Sequence, residues 1–196
     1  MSADLINAAK KGQADLLEQL LANGQDANYR DPGNQATALI WASIKGQERV
    51  VKVLAAHGAD LNASDKNGMT PLMAAVGEGF SGIARTLLEA GADTSPKDWW
   101  GRTALMGAAQ ADNAELVRML LDFGADVNAA DGKDGWTALL WASYRAQPEV
   151  IRMLIESGAE VNARNRMGDT PLTWARKNGS SEIEAMLLAA GAQDEG

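Results

Sequence analysis

Residues 58–92 read GADLNASDKNGMTPLMAAVGEGFSGIARTLLEAGA, and the stretch begins and ends on the same dipeptide. Gly-Ala recurs at Gly58-Ala59, Gly91-Ala92, Gly124-Ala125, Gly158-Ala159 and Gly191-Ala192, in steps of 33, 33, 34 and 33 residues. Gly24, followed by Gln25, extends the series 34 residues upstream. A second signal, Thr-Pro-Leu or Thr-Ala-Leu, keeps the same beat at Thr37, Thr70, Thr103, Thr137 and Thr170. Two different signals returning five times in one register define a repeat.

Each unit has a physical reading. Threonine is a good helix N-cap, and proline suits the first helical turn, so Thr70-Pro71 and its equivalents start a helix. The segment that follows is short, apolar and rich in alanine, as in Leu72-Met73-Ala74-Ala75. A break comes at Gly46, Gly79 or Gly179. A second, amphipathic helix then carries apolar pairs four residues apart, such as Leu116-Val117 and Leu120-Leu121. The glycine of Gly-Ala ends that helix as a left-handed C-cap. An Asp-x-x-Gly turn, as at Asp65-Lys66-Asn67-Gly68, carries the chain out and back.

This layout resembles the ankyrin repeat, over residues 3 to 193. The resemblance implies an all-α solenoid of six helix-turn-helix units with projecting β-turn fingers, bounded at about residues 1–30, 31–64, 65–97, 98–130, 131–164 and 165–196 of a single domain. Irregular turns and an uneven tryptophan distribution read as natural rather than designed. One departure is visible. The histidine usual after Thr-Pro-Leu is replaced by Ile40, Met73, Met106, Leu140 and Thr173, so its inter-repeat hydrogen bonds must be lost or remade. The shared faces are expected to bury Leu16, Leu20, Leu87, Leu120, Leu154 and Leu187, each worth roughly 1.5–3 kcal/mol.

A longer period lies inside the first. Thr37-Ala38-Leu39-Ile40-Trp41-Ala42-Ser43 returns 100 residues later as Thr137-Ala138-Leu139-Leu140-Trp141-Ala142-Ser143. The 34-residue steps also fall at matching turns, Asp31 to Ala36 and Asp131 to Trp136. A duplicated three-repeat block predicts that the second and fifth fingers share a backbone unlike the others.

Composition narrows the chemistry. The chain has 196 residues, no cysteine, one histidine and a formal net charge of −8. Without cysteine there is no disulfide, thiolate metal site or cysteine nucleophile. A scattered acidic surface repels phosphate backbones, so nucleic acid is excluded as a partner. No signal peptide or membrane-length apolar run is seen, and the expectation is a cytoplasmic monomer without membrane contact, or a periplasmic or secreted one if a leader has been removed. His57 precedes the helix-ending Gly58, where its role is structural. Gly77-Glu78-Gly79-Phe80-Ser81-Gly82 matches G-x-G-x-x-G, but it follows a helix instead of a strand and cannot cradle pyrophosphate there. The acidic turn Asp126 to Asp134 fails calcium-loop spacing, since Asp131 and Thr137 stand where glycine and glutamate belong. No catalytic group, metal or cofactor is implied.

What stands out is tryptophan, six of them against two tyrosines and two phenylalanines. Trp99 and Trp100 occupy the tip of the fourth finger, and Trp136 lies in the fifth. Trp41, Trp141 and Trp174 share one position on first helices, where units three and four have Ala74 and Gly107. Tyr144 and Arg145 end the fifth unit's first helix. In ankyrin proteins partners dock on the concave side, built from fingers and first helices. These eight residues are therefore the candidate contacts for a partner protein. Two alternatives stay open: the helix tryptophans instead fill the joints between helices, or the aromatic groove takes a sugar or small molecule. A regulatory or inhibitory subunit of an enzyme would use the same surface.

Overall fold

A computed structural model describes residues 2–193 of the chain. Among these residues there are twelve α-helices and no strand. They fall into two compact units, one ending at Trp99 and the other beginning at Trp100. The first unit holds α1 (Ser2–Lys10), α2 (Ala14–Ala22), α3 (Ala38–Ile44), α4 (Glu48–Ala56), α5 (Pro71–Gly77) and α6 (Ser81–Glu89). The second holds α7 (Ala104–Gln110), α8 (Ala114–Asp122), α9 (Ala138–Tyr144), α10 (Pro148–Glu156), α11 (Pro171–Lys177) and α12 (Ser181–Ala189). Odd-numbered helices are the first of each pair. In the first unit α3 packs between α1 and α5; in the second, α9 packs between α7 and α11.

The threonine caps form. The hydroxyls of Thr37, Thr70, Thr103, Thr137 and Thr170 accept the N–H of the third helical residue at 3.1–3.4 Å. That third residue stands where the family's histidine would. Ile40, Met106 and Leu140 are fully buried there, so apolar packing replaces the imidazole hydrogen bonds. Thr173 alone completes a reciprocal capping box, accepting the Thr170 N–H at 3.2 Å. At the far end of the pair, Gly58 turns left-handed and Ala59 N–H closes on Leu54 O at 3.0 Å, satisfying an orphan carbonyl. His57 is the C-cap residue of α4, and its ring Nδ1 donates to Val53 O at 2.8 Å. Gly77 ends α5 and Ser81 begins α6, so the glycine-rich stretch joins two helices.

The buried core is aliphatic and follows the repeat, with Leu87, Leu120, Leu154 and Leu187 all fully buried. Leu16 and Leu20 depart from expectation. Leu17 and Leu21 are the buried pair of α2, while Leu16 is exposed and Leu20 half-buried. Position 16 corresponds to Val50, Ile83, Leu116, Val150 and Ile183, all buried. Within each unit, Val50, Ile83, Val150 and Ile183 lie on second helices packed against the second helix of the preceding pair, and among the described residues α2 has no preceding pair.

Two ladders of hydrogen bonds tie successive fingers within each unit. The tip carbonyls of Asn34 and Asn67 accept from Lys66 N and Trp99 N at 2.9 and 2.8 Å. In the second unit Trp100 O and Asp134 O accept from Gly132 N and Arg166 N at 3.2 and 2.8 Å. Approach is close enough that a Cβ on Gly101, itself at φ +81°, would meet Gly132 N at 2.1 Å. At the finger bases, Asn28 and Asn62 Oδ1 accept Asp60 N and Asp93 N, as Asn128 and Asn162 do for Glu160 N and Gln193 N. Ser95 replaces this asparagine once. Its N–H bonds the Asp93 carboxyl at 2.8 Å, as those of Asn28, Asn62 and Asn128 bond Asp26, Asp60 and Asp126, and its hydroxyl adds a second bond at 2.8 Å; together they hold the Asp93 carboxyl below its ordinary pKa.

The duplication has a structural counterpart. The isolated antiparallel bridges among the described residues are Arg30–Thr37 and Ala130–Thr137, again 100 residues apart. Asp31 N to Ala36 O and Asp131 N to Trp136 O close the same turn.

The break between paired helices needs a left-handed residue. Gly12, Gly46, Gly79 and Gly179 supply it, but Asp112 and Ala146 hold the equivalent positions at φ +56° and +55°. A side chain there costs roughly 1–2 kcal/mol. Ala146→Gly should therefore raise stability in urea unfolding by about 1 kcal/mol, less than the full steric relief because glycine loses more entropy on folding. Unchanged or lower stability would show that Ala146 is not strained.

Candidate functional site

Four aromatic residues of the second unit converge. Trp136 leaves the fifth finger two residues before α9 and lies between the α9 and α11 indoles, its ring centroid 4.5 Å from Trp141 and 5.6 Å from Trp174. Those pairs are tilted by 33° and 35°. Tyr144, one turn beyond Trp141, stands edge-on to all three, 4.9 Å from Trp174, 5.6 Å from Trp136 and 6.2 Å from Trp141. Offset and edge-to-face pairs of this kind are worth about 0.5–1.5 kcal/mol each beyond their buried area. The register explains the meeting. Positions 141 and 174 are one repeat apart on neighbouring first helices, and the extra residue of the fifth finger brings a large ring above them.

The indoles are half-buried and their charges are managed. Lys177 Nζ sits 4.4 Å above the Trp174 ring and also donates to Asp169 Oδ1 at 2.9 Å. In the first unit, Lys10 Nζ lies 3.8 Å above Trp41, and in the second Arg102 stacks 4.8 Å above Trp100. The Nε1–H groups of Trp41, Trp141 and Trp174 are buried and meet no acceptor among the described residues. Such a donor carries a desolvation penalty of about 1–3 kcal/mol that the rest of the ring must offset.

The other candidates differ in setting. Trp99 is 76% exposed and belongs to the first unit with Trp41; its backbone, not its ring, joins the finger ladder. Trp100 is 48% exposed and belongs to the second unit. It shares an open hollow of about 200 Å³ with Arg102, Asp131, Lys133, Asp134 and Trp141. Arg145 is the C-cap residue of α9 and lines a second hollow beside Tyr144. One residue was not singled out by sequence: Met167, 83% exposed, at the tip of the sixth finger. The signal was present, because Met167 precedes the finger glycine just as Trp100 does. The cations over the rings were also missed, since spacing along a helix does not show which neighbour a lysine will cover.

The comparisons with known proteins fit this architecture. The family model described as "Ankyrin repeats (3 copies)" matches residues 5–98, 95–165 and 133–195. The chain belongs to the ankyrin-repeat family. A crystal structure of an ankyrin repeat domain from Acinetobacter baumannii AYE is similar at 33% identity and a TM-score of 0.92, over 98% of this chain and 100% of that one. No curated protein matches. The fold is thus an all-α ankyrin solenoid, and ankyrin repeats are generally non-catalytic protein–protein interaction modules. Among the described residues, no helix is long and apolar enough to cross a membrane, and no group of three or more His, Asp or Glu is placed to hold a metal ion.

Because its donor is unsatisfied, the Trp141 ring should be replaceable by a smaller apolar ring more easily than by nothing. Trp141→Phe is expected to change unfolding free energy by under about 1 kcal/mol, and Trp141→Ala to lower it by about 2–3 kcal/mol, below the full-burial range because the ring is half-buried. Equal losses for the two, measured by chemical denaturation, would mean that the indole N–H is bonded after all.

Proposed function

We propose that this protein is a non-catalytic binding module whose second unit captures a partner protein on the face made by its fingers and first helices. The observation that carries this reading is the aromatic cluster of Trp136, Trp141, Tyr144 and Trp174, together with the exposed apolar groups nearest it in the register, Trp100 and Met167. Large aromatic rings on a rigid scaffold contribute contact area at low entropic cost, and tryptophan and tyrosine dominate interface hot spots. Trp174 and Trp141 fix the platform, Trp136 bridges them, and Tyr144 and Trp100 present their rings outward. Arg145 supplies a charged contact at the edge of Tyr144. In the first unit, Trp99 is proposed as a further contact and Trp41, already covered by Lys10, as its structural counterpart.

A sugar or flat small molecule is disfavoured by the same geometry. Centroid separations of 4.5–5.6 Å mean that the indoles cover one another's faces and leave no slot for a stacked ligand. The neighbouring hollow is open and carries two carboxylates and two cations, unlike an enclosed apolar pocket.

Trp100→Ala and Tyr144→Ala should each weaken binding of a copurified partner tenfold or more, the effect of a hot spot worth about 2 kcal/mol. The melting temperature should change little, because both side chains are half in solvent. Preserved affinity in both variants would remove this face from consideration.

A further inference from the structure

At the edge of the aromatic platform lies a hollow of about 370 Å³ lined by Asp112, Tyr144, Arg145, Gln147 and Asn178. Its floor is unusual. Gln147 occupies the N-cap position of α10, yet its side chain makes no capping bond, and it is only 4% exposed. The Gln147 Oε1 acceptor is buried and meets no donor among the described residues. At the equivalent positions Asn113 and Ser180 cap their helices, accepting Leu116 N and Ile183 N at 3.0 and 3.4 Å, while Gln13 and Gln47 also make no capping bond but, unlike Gln147, are not buried. Gln147 is therefore not spent on its own helix, and a buried acceptor left open is costly unless something pairs with it.

The surrounding groups define what could pair. Asn178 is committed through its Nδ2, which donates to Ser143 O and Tyr144 O at 2.9 and 3.1 Å and so seals the end of α9. Arg145 is exposed, and its guanidinium has no ion-pair or hydrogen-bond partner among the described residues. Asp112 is exposed and lines the same hollow. One carboxylate and one guanidinium make the hollow electrically balanced, so neither an acidic nor a basic side chain is favoured. A group with a C=O for Arg145 and an N–H₂ for Gln147 Oε1 and Asp112 satisfies all three at once. Of the three left-handed non-glycine residues among the described ones, Asp112 lines this hollow and Ala146 lies in the chain between Arg145 and Gln147, which also line it.

Resting on the reading of the aromatic face as a protein-binding surface, we propose that this hollow recognises a carboxamide side chain, asparagine or glutamine, next to an apolar residue in the partner's peptide chain. The apolar residue lies against Tyr144 and the platform rings. On binding, the Gln147 side-chain amide turns its buried Oε1 toward the hollow, where it accepts from the carboxamide N–H while the carboxamide oxygen accepts from Arg145.

The test is selection from a phage-displayed library of random 12-residue peptides on the full chain and on Gln147→Met, which keeps the volume and removes the acceptor. Thermal melts of Gln147→Met and of the conservative Gln147→Glu establish that both fold. The wild type should enrich peptides with Asn or Gln beside Leu, Phe or Trp. In a synthetic peptide of that kind, replacing Gln by Met should weaken binding at least tenfold on the wild type and hardly at all on Gln147→Met. Apolar enrichment with no carboxamide preference, or a preference unchanged in Gln147→Met, overturns this proposal while leaving the aromatic surface standing. Absence of apolar enrichment on a folded wild type overturns both.

Discussion

A seven-residue helix paired with a nine-residue one has no way to bury its apolar stripe by itself, and everything else in this protein follows from that constraint. Each pair must be covered by the next, so the core forms between neighbours and the chain repeats every 33 or 34 residues. Leu16 shows the rule by exception. It holds the position that Val50 and Val150 bury, and with no helix pair before it among the described residues it faces solvent. Stacking also fixes spacing, because successive fingers are close enough that Gly101 leaves no room for a Cβ against Gly132.

The same stacking turns sequence register into a surface. A residue type repeated at one position of the first helix becomes a row, and Trp141 and Trp174 become neighbours although 33 residues separate them. The extra residue of the fifth finger then places Trp136 between them. In the first unit the second finger has the same length and the same bridge, but Ala36 stands where Trp136 does. Trp41 accordingly has a lysine above it and no aromatic stack. Two fingers with the same backbone turn thus carry different surfaces, set by a handful of side chains.

Much of the fold was legible because its signals are local and periodic. Threonine caps, left-handed glycines and apolar pairs are each decided within a few residues, and five repetitions remove ambiguity. What was not legible depends on contacts across repeats. Spacing placed the tryptophans on one side but did not show that three would stack, that Lys10 and Lys177 would cover two of them, or that Gln147 would be buried with an open acceptor. In α2, adjacent leucines left the choice between Leu16 and Leu17 to a neighbour that a single helix does not reveal. Met167 fills the finger-tip position of Trp100, but its exposure is set by the neighbouring fingers and is not written in its own spacing.

The central claim is that the second unit binds its partner through fingers and first helices, and hydroxyl-radical footprinting of the complex tests it most directly. Both faces carry reactive, exposed apolar side chains: Trp100, Tyr144 and Met167 on the proposed face, Phe123 and Leu188 at the ends of second helices. Partner binding should protect Trp100, Tyr144 and Met167 from oxidation and leave Phe123 and Leu188 unchanged. Protection of Phe123 and Leu188 with Trp100, Tyr144 and Met167 still reactive would contradict the account.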